Sequence, residues 1–526
     1  MAMEFLACLL LLGLFVVGLK FYYVAWARPE RIRRRLRLQG IDGPPPQFLH
    51  GNLKEAKRFV LEKKAMEGNE EEKVRHDYSS VIFPYFEKWR NIYGPIFLYT
   101  MGNVPMLHVS RPDLVREINT CKSLDLGKAT YLRKTHEPLF GHGILKSNGE
   151  PWVYQRKIIA PEFFMDKVKG MVELMVDSAI PMLEKWERSV ENGGGKAEIN
   201  VDADLKSYSA DVISRASFGS NYSKGKQIFM KLYELKNAVS KPNLFIEITG
   251  MRYIPTRANR EVWRLNKEIR SLILQVVKEG VVADGGGRRC AAPENNLLRA
   301  ILRSAGEAEG GTDAEDFVVD NCKTIYFAGH ETTAVASTWC LLLLAIHPEW
   351  QRRAREEVVR LCGGRSPDAQ TVFKMKTLTM VIQETLRLYP PGPVVSREAL
   401  RDMKLGSILL PKGINIFIPV PTMHRDPNIW GSDAHKFNPE RFVNGVTAAC
   451  NLPQMYVPFG AGSRICLGQN FAMAEVKAVL ASILQKFTFS LPSTYRHSPT
   501  LRLIVEPEFG LDLIMEKVQL HALESN

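Results

Sequence analysis

Residues 458–468 read Pro-Phe-Gly-Ala-Gly-Ser-Arg-Ile-Cys-Leu-Gly, a loop in which three glycines surround a single cysteine, Cys466. Residues 469–480 carry the pattern of a helix, so backbone N–H groups at the positive end of a helix dipole would face the sulfur. Such a position favours a thiolate over a thiol. The glycines would let the backbone approach a large, flat ligand closely. The stretch therefore predicts a ligand site built around Cys466.

Three other interpretations compete with this one. An isolated cysteine in an apolar stretch is usually a small core residue. A dinucleotide loop would need a glycine where Ile465 stands, and residues 454–458 make a poor central strand. Zinc is disfavoured because the chain contains no Cys-x-x-Cys pair. The residues alone leave the core-cysteine interpretation open.

The string Phe-x-x-Gly-x-Arg-x-Cys-x-Gly, from Phe459 to Gly468, resembles the haem-binding loop of the cytochrome P-450 monooxygenases. The resemblance implies a haem b cofactor (iron protoporphyrin IX) whose iron is ligated by the Cys466 thiolate. It also implies that Arg464 points toward the acidic edge of the haem and that Phe459 belongs to the cofactor-binding residues.

A second element pairs an aromatic ring with a cation. Trp152 and Arg156 lie four residues apart and share one face of a predicted helix. As a surface pair they would make only a cation–π contact. The resemblance instead makes them the Trp-x-x-x-Arg element that holds a haem propionate. Arg397, ten residues beyond Arg387, aligns with a propionate-binding arginine of the same family.

The apolar run 316–346 predicts a long helix, and its internal charged residues indicate a buried core helix, not a membrane span. Its centre, residues 328–333, reads Ala-Gly-His-Glu-Thr-Thr. Glycine and threonine in mid-helix predict a local kink, although a threonine that simply bonds back to the helix is the preferred interpretation of Thr333. The resemblance to Ala-Gly-x-[Asp/Glu]-Thr-Thr implies that Thr332 hydrogen-bonds dioxygen and that Glu331 delivers protons from solvent.

A third group is interpreted as scaffold. Glu384 and Arg387 lie three residues apart on a predicted apolar helix, where a buried carboxylate and guanidinium need further partners. Arg441, in the string Phe-Asn-Pro-Glu-Arg-Phe, offers one. The resemblance implies that the three form a structural triad.

The N-terminal residues predict that the protein is anchored in a membrane. Residues 5–26 are mainly apolar and about 22 in number, long enough to span a bilayer. A cleavable signal peptide is the alternative, since Ala25-Trp26-Ala27 is similar to a cleavage site, but the preceding segment carries Glu4 and no basic side chain. Six arginines and one glutamate follow in 28–37, which by the positive-inside rule stay cytosolic. We therefore predict a membrane anchor at 1–27, a basic and proline-rich linker at 28–50 and a catalytic domain at 51–526.

Charge and cysteine content exclude other classes. The net charge of +13 would suit nucleic acid, but residues 28–37, with six arginines and one glutamate, account for five of those charges. Nucleic-acid binding is therefore not expected. Eight cysteines are scattered without a pairing pattern, which suits a reducing compartment.

The remaining pattern predicts the elements around these motifs. We expect a hairpin at 96–109, an irregular loop over a pocket at 121–146, and a C-terminal hairpin at 501–514 whose tip reaches the pocket. Four amphipathic helices are expected, with glycine breaks between them; they cover 166–191, 203–218, 225–240 and 257–282, and the breaks fall at 193–195 and 285–287. The resemblance implies a mainly α fold with a smaller β-rich portion, the cytochrome P-450 fold.

The expected activity is that of a monooxygenase. Because no NADPH or flavin fingerprint is present, electrons from NADPH must come through a separate partner, an NADPH–haemoprotein reductase. Residues 253–260 and 327–334 are similar to a plant clan of endoplasmic-reticulum enzymes that includes gibberellin oxidases and cytokinin hydroxylases. We therefore expect an endoplasmic-reticulum membrane protein that hydroxylates or epoxidises a gibberellin acid. A fatty-acid or cytokinin hydroxylase and a non-enzymatic haem sensor are the alternatives.

The expected pocket is apolar, with one cation for the substrate carboxylate. Its predicted walls are Ile325, Tyr326, Phe327, Val394, Val395 and Phe509. Lys128, Arg133 and Lys134 are the candidate cations, although a solvated loop face is the preferred explanation for any one of them.

Overall fold

The computed structural model of the protein describes residues 2–67, 76–219, 222–239, 254–285, 297–307 and 312–518. Residues 240, 253, 286 and 287, which belong to three of the segments named above (225–240, 253–260 and 285–287), lie outside this described part. Helices dominate, as predicted, and the strands form four small sheets. The helices are α1 Ala2–Tyr22, α2 Arg28–Arg37, α3 Leu53–Glu67, α4 Ser79–Ile82, α5 Pro84–Tyr93, α6 Pro112–Thr120, α7 Thr130–Thr135, α8 Glu137–Phe140, α9 Gly149–Ile159, α10 Met165–Lys169, α11 Val172–Asn192, α12 Val201–Phe218, α13 Tyr222–Val239, α14 Arg257–Gly285, α15 Leu297–Glu307, α16 Thr312–Ile346, α17 Pro348–Cys362, α18 Ala369–Lys374, α19 Lys376–Leu388, α20 Val420–His424, α21 Pro427–Trp430 and α22 Gln469–Lys486.

Helix α16 runs through the core and organises the helical part. It ends before His347 because Pro348 has no backbone N–H to donate and disfavours helical backbone on the residue before it. From residue 318 to residue 344 every side chain is buried except those at 328, 329 and 332. These three positions lie on one side of the helix, so the predicted motif interrupts an otherwise packed surface.

The largest sheet of the described residues has five strands, and the turn of its first hairpin touches the N-terminal helix, where Asn103 donates to the Val24 carbonyl at 3.4 Å. Its strand order is β1-β2-β8-β5-β3, and the other sheets are β4-β12-β9, β6-β7 and β10-β11. The strands are β1 Ile96–Met101, β2 Val104–Val109, β3 Leu126–Gly127, β4 Lys196–Asn200, β5 Val394–Ala399, β6 Met403–Leu405, β7 Ile408–Leu410, β8 Asn415–Pro419, β9 Phe487–Ser490, β10 Pro499–Arg502, β11 Ile504–Pro507 and β12 Asp512–Lys517. The predicted hairpin at 96–109 is confirmed, with Met101 paired to Val104 across the turn.

Two predicted elements differ in the structure. The helix expected at 166–191 is interrupted at Gly170, which ends α10. The C-terminal hairpin is shorter than predicted, because β10 turns directly into β11 at Leu503, whose φ is 69°. Strand β12 then leaves to pair with β4 and β9. Phe509 lies between these strands and is 56% exposed, so its predicted place in the pocket wall is wrong.

The anchor and the basic stretch form one helix. Helix α1, a π-helical turn at Tyr23–Ala27 and α2 continue without a break, and this is the one helix of the described residues long and apolar enough to cross a membrane. Helix α2 buries Ile32 and Leu36 in the core of the catalytic domain. The predicted boundary at residue 27 therefore falls inside a continuous helix, and residues 28–37 of the predicted linker are a helix packed on the catalytic domain.

The predicted scaffold residues lie together. Arg387 donates to both carboxylate oxygens of Glu384 at 2.6 and 2.7 Å, and Arg441 lies 3.4 Å from the same carboxylate. The Glu384 and Arg387 side chains are completely buried. Arg441 also pairs with Asp433 at 2.6 Å. This network fixes α19 against the loop that precedes the cysteine.

Candidate functional site

The cysteine loop is held by its own backbone. The N–H of Cys466 donates to the carbonyl of Phe459 at 2.9 Å, and helix α22 begins three residues beyond the sulfur, as predicted. Gly462 has a positive φ of 71°, and a Cβ there would stand 1.7 Å from the carbonyl oxygen of Asn119. Gly462 is therefore needed for packing against α6. Gly460 and Gly468 are therefore the glycines at which a flat ligand could come close to the backbone, as predicted. A Cβ at either position would meet no protein atom closer than 3.9 Å.

The Cys466 thiol is exposed, yet its pKa is raised from the ordinary value. Desolvation by the surrounding protein is the largest cause, which means that the sulfur opens onto an internal recess and not onto bulk water. The Gly468 N–H and the charges of Arg156 and Lys128 lower the pKa of the thiol. The helix end and nearby cations thus favour the thiolate as predicted, but burial outweighs them, so the predicted thiolate needs a further cation such as a metal ion.

Trp152 lies between two arginines. The guanidinium carbon of Arg464 is 4.0 Å from the centroid of the Trp152 ring, and that of Arg156 is 5.7 Å away. Arg464 donates to the Ser147 carbonyl at 2.8 Å, while Arg156 donates to the Ile465 carbonyl at 3.0 Å. The predicted pair Trp152 and Arg156 is therefore joined to the cysteine loop from both sides.

Cations converge on this recess. Burial lowers the pKa of Arg397 and of Arg464 to about 10, and Arg464 is further lowered by repulsion from Arg397 and Arg156. Burial also holds the pKa of Lys128 well below its usual value, with repulsion from Arg397, Lys146 and Arg464 added to it. None of these five side chains has a carboxylate within ion-pairing distance in the part of the chain that the structure describes.

Such a set of cations suits a ligand that brings its own negative charge. Buried positive charges are stable only when they are paired. The two propionates of a haem would supply that charge, and Cys466 would supply a sulfur ligand for its iron. The donor set therefore fits the cofactor that the sequence resemblance implies.

Both threonines at the centre of α16 bond back to the helix, although the sequence predicts this contact for Thr333 alone. Thr332 donates to the Ala328 carbonyl at 2.7 Å, and Thr333 donates to the Gly329 carbonyl at 2.9 Å. Thr333 is buried, which confirms the preferred interpretation that it bonds back to the helix. Ala328 is exposed and Thr332 is half-buried, although the rest of the helix is enclosed. Residues 328, 329 and 332 thus form the one face of the motif that the other described elements do not bury, called the free face below, and Thr332 lies on it.

Glu331 points away from that face into a buried ionic network. Its carboxylate lies 2.7 Å from the ammonium of Lys236, and both side chains are at most 3% exposed. Burial by itself would raise the pKa of Glu331, but attraction by Lys236 and His330 lowers it overall. Lys236 also lies 3.5 Å from Glu506, which is 3.9 Å from Lys206. Glu331 is therefore ionised and held, not free beside Thr332.

A chain of contacts joins the two halves of the site. Phe327 of α16 packs edge-on against Phe140 of α8, with ring centroids 5.2 Å apart. The ammonium of Lys146 lies 5.3 Å from the Phe140 ring. Lys146 is close enough to Lys128 to lower its pKa, and Lys128 in turn interacts with Cys466. The loop predicted to cover a pocket thus connects α16 to the cysteine.

The same loop is fastened to α16 by backbone hydrogen bonds. The N–H of His142 donates to Asp320 at 2.8 Å, and that of Ile144 donates to Asn321 at 3.0 Å. A Cβ at Gly141 would overlap the Asp320 carboxylate at 2.0 Å. The glycine is therefore required for the loop to reach the helix.

Sequence reasoning missed Lys236, Glu506 and Lys146. Lys236 carried a recognisable signal, because it falls on the apolar face of α13 with Phe229 and Leu232. A lysine on a buried face needs a buried anion. Glu506 and Lys146 lie in short irregular or strand segments, where no periodicity marks the buried side.

Comparisons with known proteins agree with this geometry. Residues 74–513 match the family model described as Cytochrome P450. The chain is 53% identical to Cytochrome P450 714B2 of Oryza sativa subsp. japonica, over 98% of this chain and 97% of that one. It is 54% identical to Cytochrome P450 714B3 of Zea mays (99% and 97% covered) and 44% identical to Cytochrome P450 714A2 of Arabidopsis thaliana (96% and 97% covered). The crystal structure of the cytochrome P450DA heme domain superposes with a TM-score of 0.71 at 24% identity, covering 84% of this chain and 94% of that chain. That last likeness concerns the fold.

Proposed function

Because the chain belongs to the cytochrome P450 family, we propose that it is a membrane-anchored monooxygenase that oxidises a gibberellin-type diterpenoid acid. The observation that carries the proposal is the recess beside the loop fastened to α16, where Cys466 stands with five cations that have no carboxylate within ion-pairing distance among the described residues. The family implies a haem-thiolate iron, and this donor set fits it.

Bound haem would supply an iron centre that activates dioxygen. In this chain Cys466 would hold the iron, and Arg464, Arg156 and Arg397 would hold the propionates. Trp152 keeps the first two arginines in place through its ring. Phe459 fixes the backbone of the cysteine through the hydrogen bond from the Cys466 N–H.

Thr332 and Glu331 would divide the delivery of protons between them. The Thr332 hydroxyl sits on the free face of α16, where a rotation about its side chain moves its proton from the Ala328 carbonyl toward dioxygen. Glu331 is ionised and bound to Lys236, so it accepts a proton from the network before it can donate one. Opening the contact between Glu331 and Lys236 would be the step that brings the acid to the free face.

Electrons would come from NADPH through a separate NADPH–haemoprotein reductase, since the chain contains no fingerprint for NADPH or flavin. The N-terminal helix supports a single membrane span. The arginines of α2 support an endoplasmic-reticulum protein whose catalytic domain faces the cytosol.

The substrate carboxylate needs a cation near α16. Lys128 belongs to the recess with Arg397 and Arg464, and Lys134 is exposed on α7, while Arg133 is half-buried. Lys146 suits the role best. It is 8% exposed, it lies beside Phe140, which packs on Phe327 of α16, and burial lowers its pKa to about 8, which leaves it mostly charged at neutral pH.

A panel assay of the full-length protein with reductase in membranes tests the proposal. Gibberellin acids, fatty acids and adenine-type cytokinins are supplied together, and products are identified by mass spectrometry. Oxidation of a gibberellin with NADPH consumption supports the proposal. Conversion of only fatty acids or cytokinins would contradict the gibberellin proposal and identify one of those classes as the substrate. Ligand binding without NADPH consumption would indicate the haem-sensor alternative.

Lys146→Met tests the role of the lysine, with Lys134→Met as the matched control. Losing a hydrogen bond to a charged group should raise KM for the gibberellin acid by about tenfold or more. KM for its neutral methyl ester should not change. If Lys146→Met lowers haem content instead, Lys146 holds a propionate and the substrate role is wrong.

A further inference from the structure

A basic groove of about 390 Å³ opens where helix α1 ends. It is lined by Tyr23, Arg28, Arg31, Ile32 and Arg35 of the N-terminal helix and by Asp402, Pro411 and Lys412 of the catalytic domain. Four of these side chains are cationic and one is anionic, so the lining carries a net charge of +3. No part of the proposed reaction uses this groove.

The single carboxylate of the groove is already engaged. Asp402 pairs with Arg35 at 2.8 Å and accepts the backbone N–H of Lys412 at 2.6 Å. These contacts lower the pKa of Asp402, chiefly through the hydrogen bond from Arg35. The acid therefore stays ionised and neutralises only one of the four cations.

Two arginines are positioned without an anion. Arg28 packs its guanidinium on Gly413, where a Cβ would stand 3.0 Å from the nearer nitrogen. The Arg31 guanidinium lies 6.0 Å from the centroid of the Tyr23 ring. Within the described part of the chain neither has a carboxylate within ion-pairing distance. Each guanidinium thus keeps donors available for a ligand with several oxygens.

The groove lies at a defined depth. Helix α1 has 21 residues and is about 31 Å long at 1.5 Å per residue, which matches the hydrocarbon thickness of a bilayer. Tyr23 follows its last residue directly. The groove therefore starts at the level of the lipid headgroups, and the exposed apolar side chains of α1 lead down from it, among them Val16, Val17 and Leu19.

We propose that this groove binds the phosphate of an anionic glycerophospholipid. The guanidinium groups of Arg28 and Arg31 would donate pairs of hydrogen bonds to the phosphate oxygens, and Lys412 would add a point charge. The acyl chains would lie along α1. A lipid with its own quaternary amine, such as phosphatidylcholine, would bring a cation into a groove that is already positive, so it binds less well.

The test uses the full-length protein in phosphatidylcholine nanodiscs. Spin-labelled phosphatidic acid or spin-labelled phosphatidylcholine is added in trace amount, and electron paramagnetic resonance gives the immobilised fraction of each. We expect the wild type to prefer phosphatidic acid several-fold, since each basic residue near the surface contributes about 1 kcal/mol. Arg28→Gln/Arg31→Gln should lower this preference at least about threefold.

The matched control is Arg34→Gln/Arg37→Gln, which removes the same charge from the same helix outside the groove. It should keep most of the preference, and equal haem absorbance shows that all variants are folded. Equal losses in both double variants would mean unspecific charge attraction and overturn the proposal, as would a wild type without preference. Displacement of the labelled lipid by millimolar inorganic phosphate, but not by sodium chloride of equal ionic strength, would assign the groove to a soluble phosphate compound instead.

Discussion

The ammonium of Lys236 lies 2.7 Å from a carboxylate oxygen of Glu331, and the two residues are 95 positions apart in the sequence. Glu506 lies 3.5 Å from the same ammonium. The lysine thus joins α13 and α16 to the C-terminal hairpin β10-β11. This ion pair holds Glu331 in place, so the movement of the Glu331 side chain depends on elements that are far from the motif in the sequence.

Replacing Lys236 by methionine should destabilise the protein by about 3–5 kcal/mol, because it leaves the buried carboxylate of Glu331 without its lysine partner. Guanidinium denaturation of the haem-loaded protein, followed by its absorbance, measures the change. Lys231→Met is the control on the same helix, since Lys231 pairs with Glu268 at the surface; its midpoint should stay that of the wild type. Equal midpoints for both variants would contradict a structural role of the buried pair.

The Cys466→Ser variant should lose the carbon monoxide absorbance band that is characteristic of thiolate-ligated haem, because a serine hydroxyl cannot replace the thiolate. Cys450→Ser removes a half-buried thiol elsewhere and should keep the band. Absorbance spectra of the reduced proteins with carbon monoxide measure this band in each variant. A normal band in Cys466→Ser would overturn the assignment of the ligand.

Thr332→Ala should bind substrate and haem normally but divert electrons to hydrogen peroxide, which lowers the product formed per NADPH by about tenfold. The hydroxyl of Thr332 is on the free face of α16, whereas that of Thr333 is buried, so Thr333→Ala should keep its coupling. Product and peroxide are measured in the same reaction. The same loss of coupling in both variants would indicate a general disturbance of the helix.

Glu331→Gln should slow turnover and increase the solvent isotope effect, because the amide cannot carry a proton to the site. Its effect on haem content should be small, since the residue points toward Lys236. Rates in water and in deuterium oxide give the comparison. If rate and isotope effect match those of the wild type, another acid delivers the proton.

Acid should destabilise the fold through buried histidines such as His108. Its ring stacks on Phe97 at 4.3 Å, and burial lowers its pKa to about 3. A folded-state pKa below the unfolded value near 6.5 means that this stability is complete above about pH 6.5 and is lost as the pH falls toward 3, by up to about 1.4 kcal/mol per pH unit. His108→Phe should remove this part of the pH dependence, while His435→Asn on the surface should not. Denaturation of the three proteins between about pH 7 and pH 5 tests the prediction.

Motifs with local geometry could be predicted from the sequence. The hairpin at 96–109 follows from a turn between two apolar runs, and α16 follows from a long apolar segment that ends at a proline. The bond from Thr333 to the helix also follows from local rules. Each of these depends on neighbours in the sequence, and each is confirmed by the structure.

Contacts over long distances could not be predicted. The folded protein desolvates Cys466, which raises its thiol pKa, and two of the charges that oppose this shift, Arg156 and Lys128, come from segments more than 300 residues away. The exposure of Phe509 results from the pairing of β12 with β4. The partner of Glu331 comes from another helix. A single sequence shows which residues can ionise, but the packing of distant elements decides which of them meet.

The uninterrupted helix from α1 to α2 couples the catalytic domain mechanically to the bilayer. A flexible tether would let the domain tumble, but here α2 packs one face on the domain through Ile32 and Leu36 and is continuous with the span, so a tilt of one tilts the other. Transmembrane helices tilt when their apolar length exceeds the local hydrocarbon thickness. Bilayer thickness therefore sets the angle at which the domain meets the lipid surface, and membranes of different thickness present the same pocket at different heights.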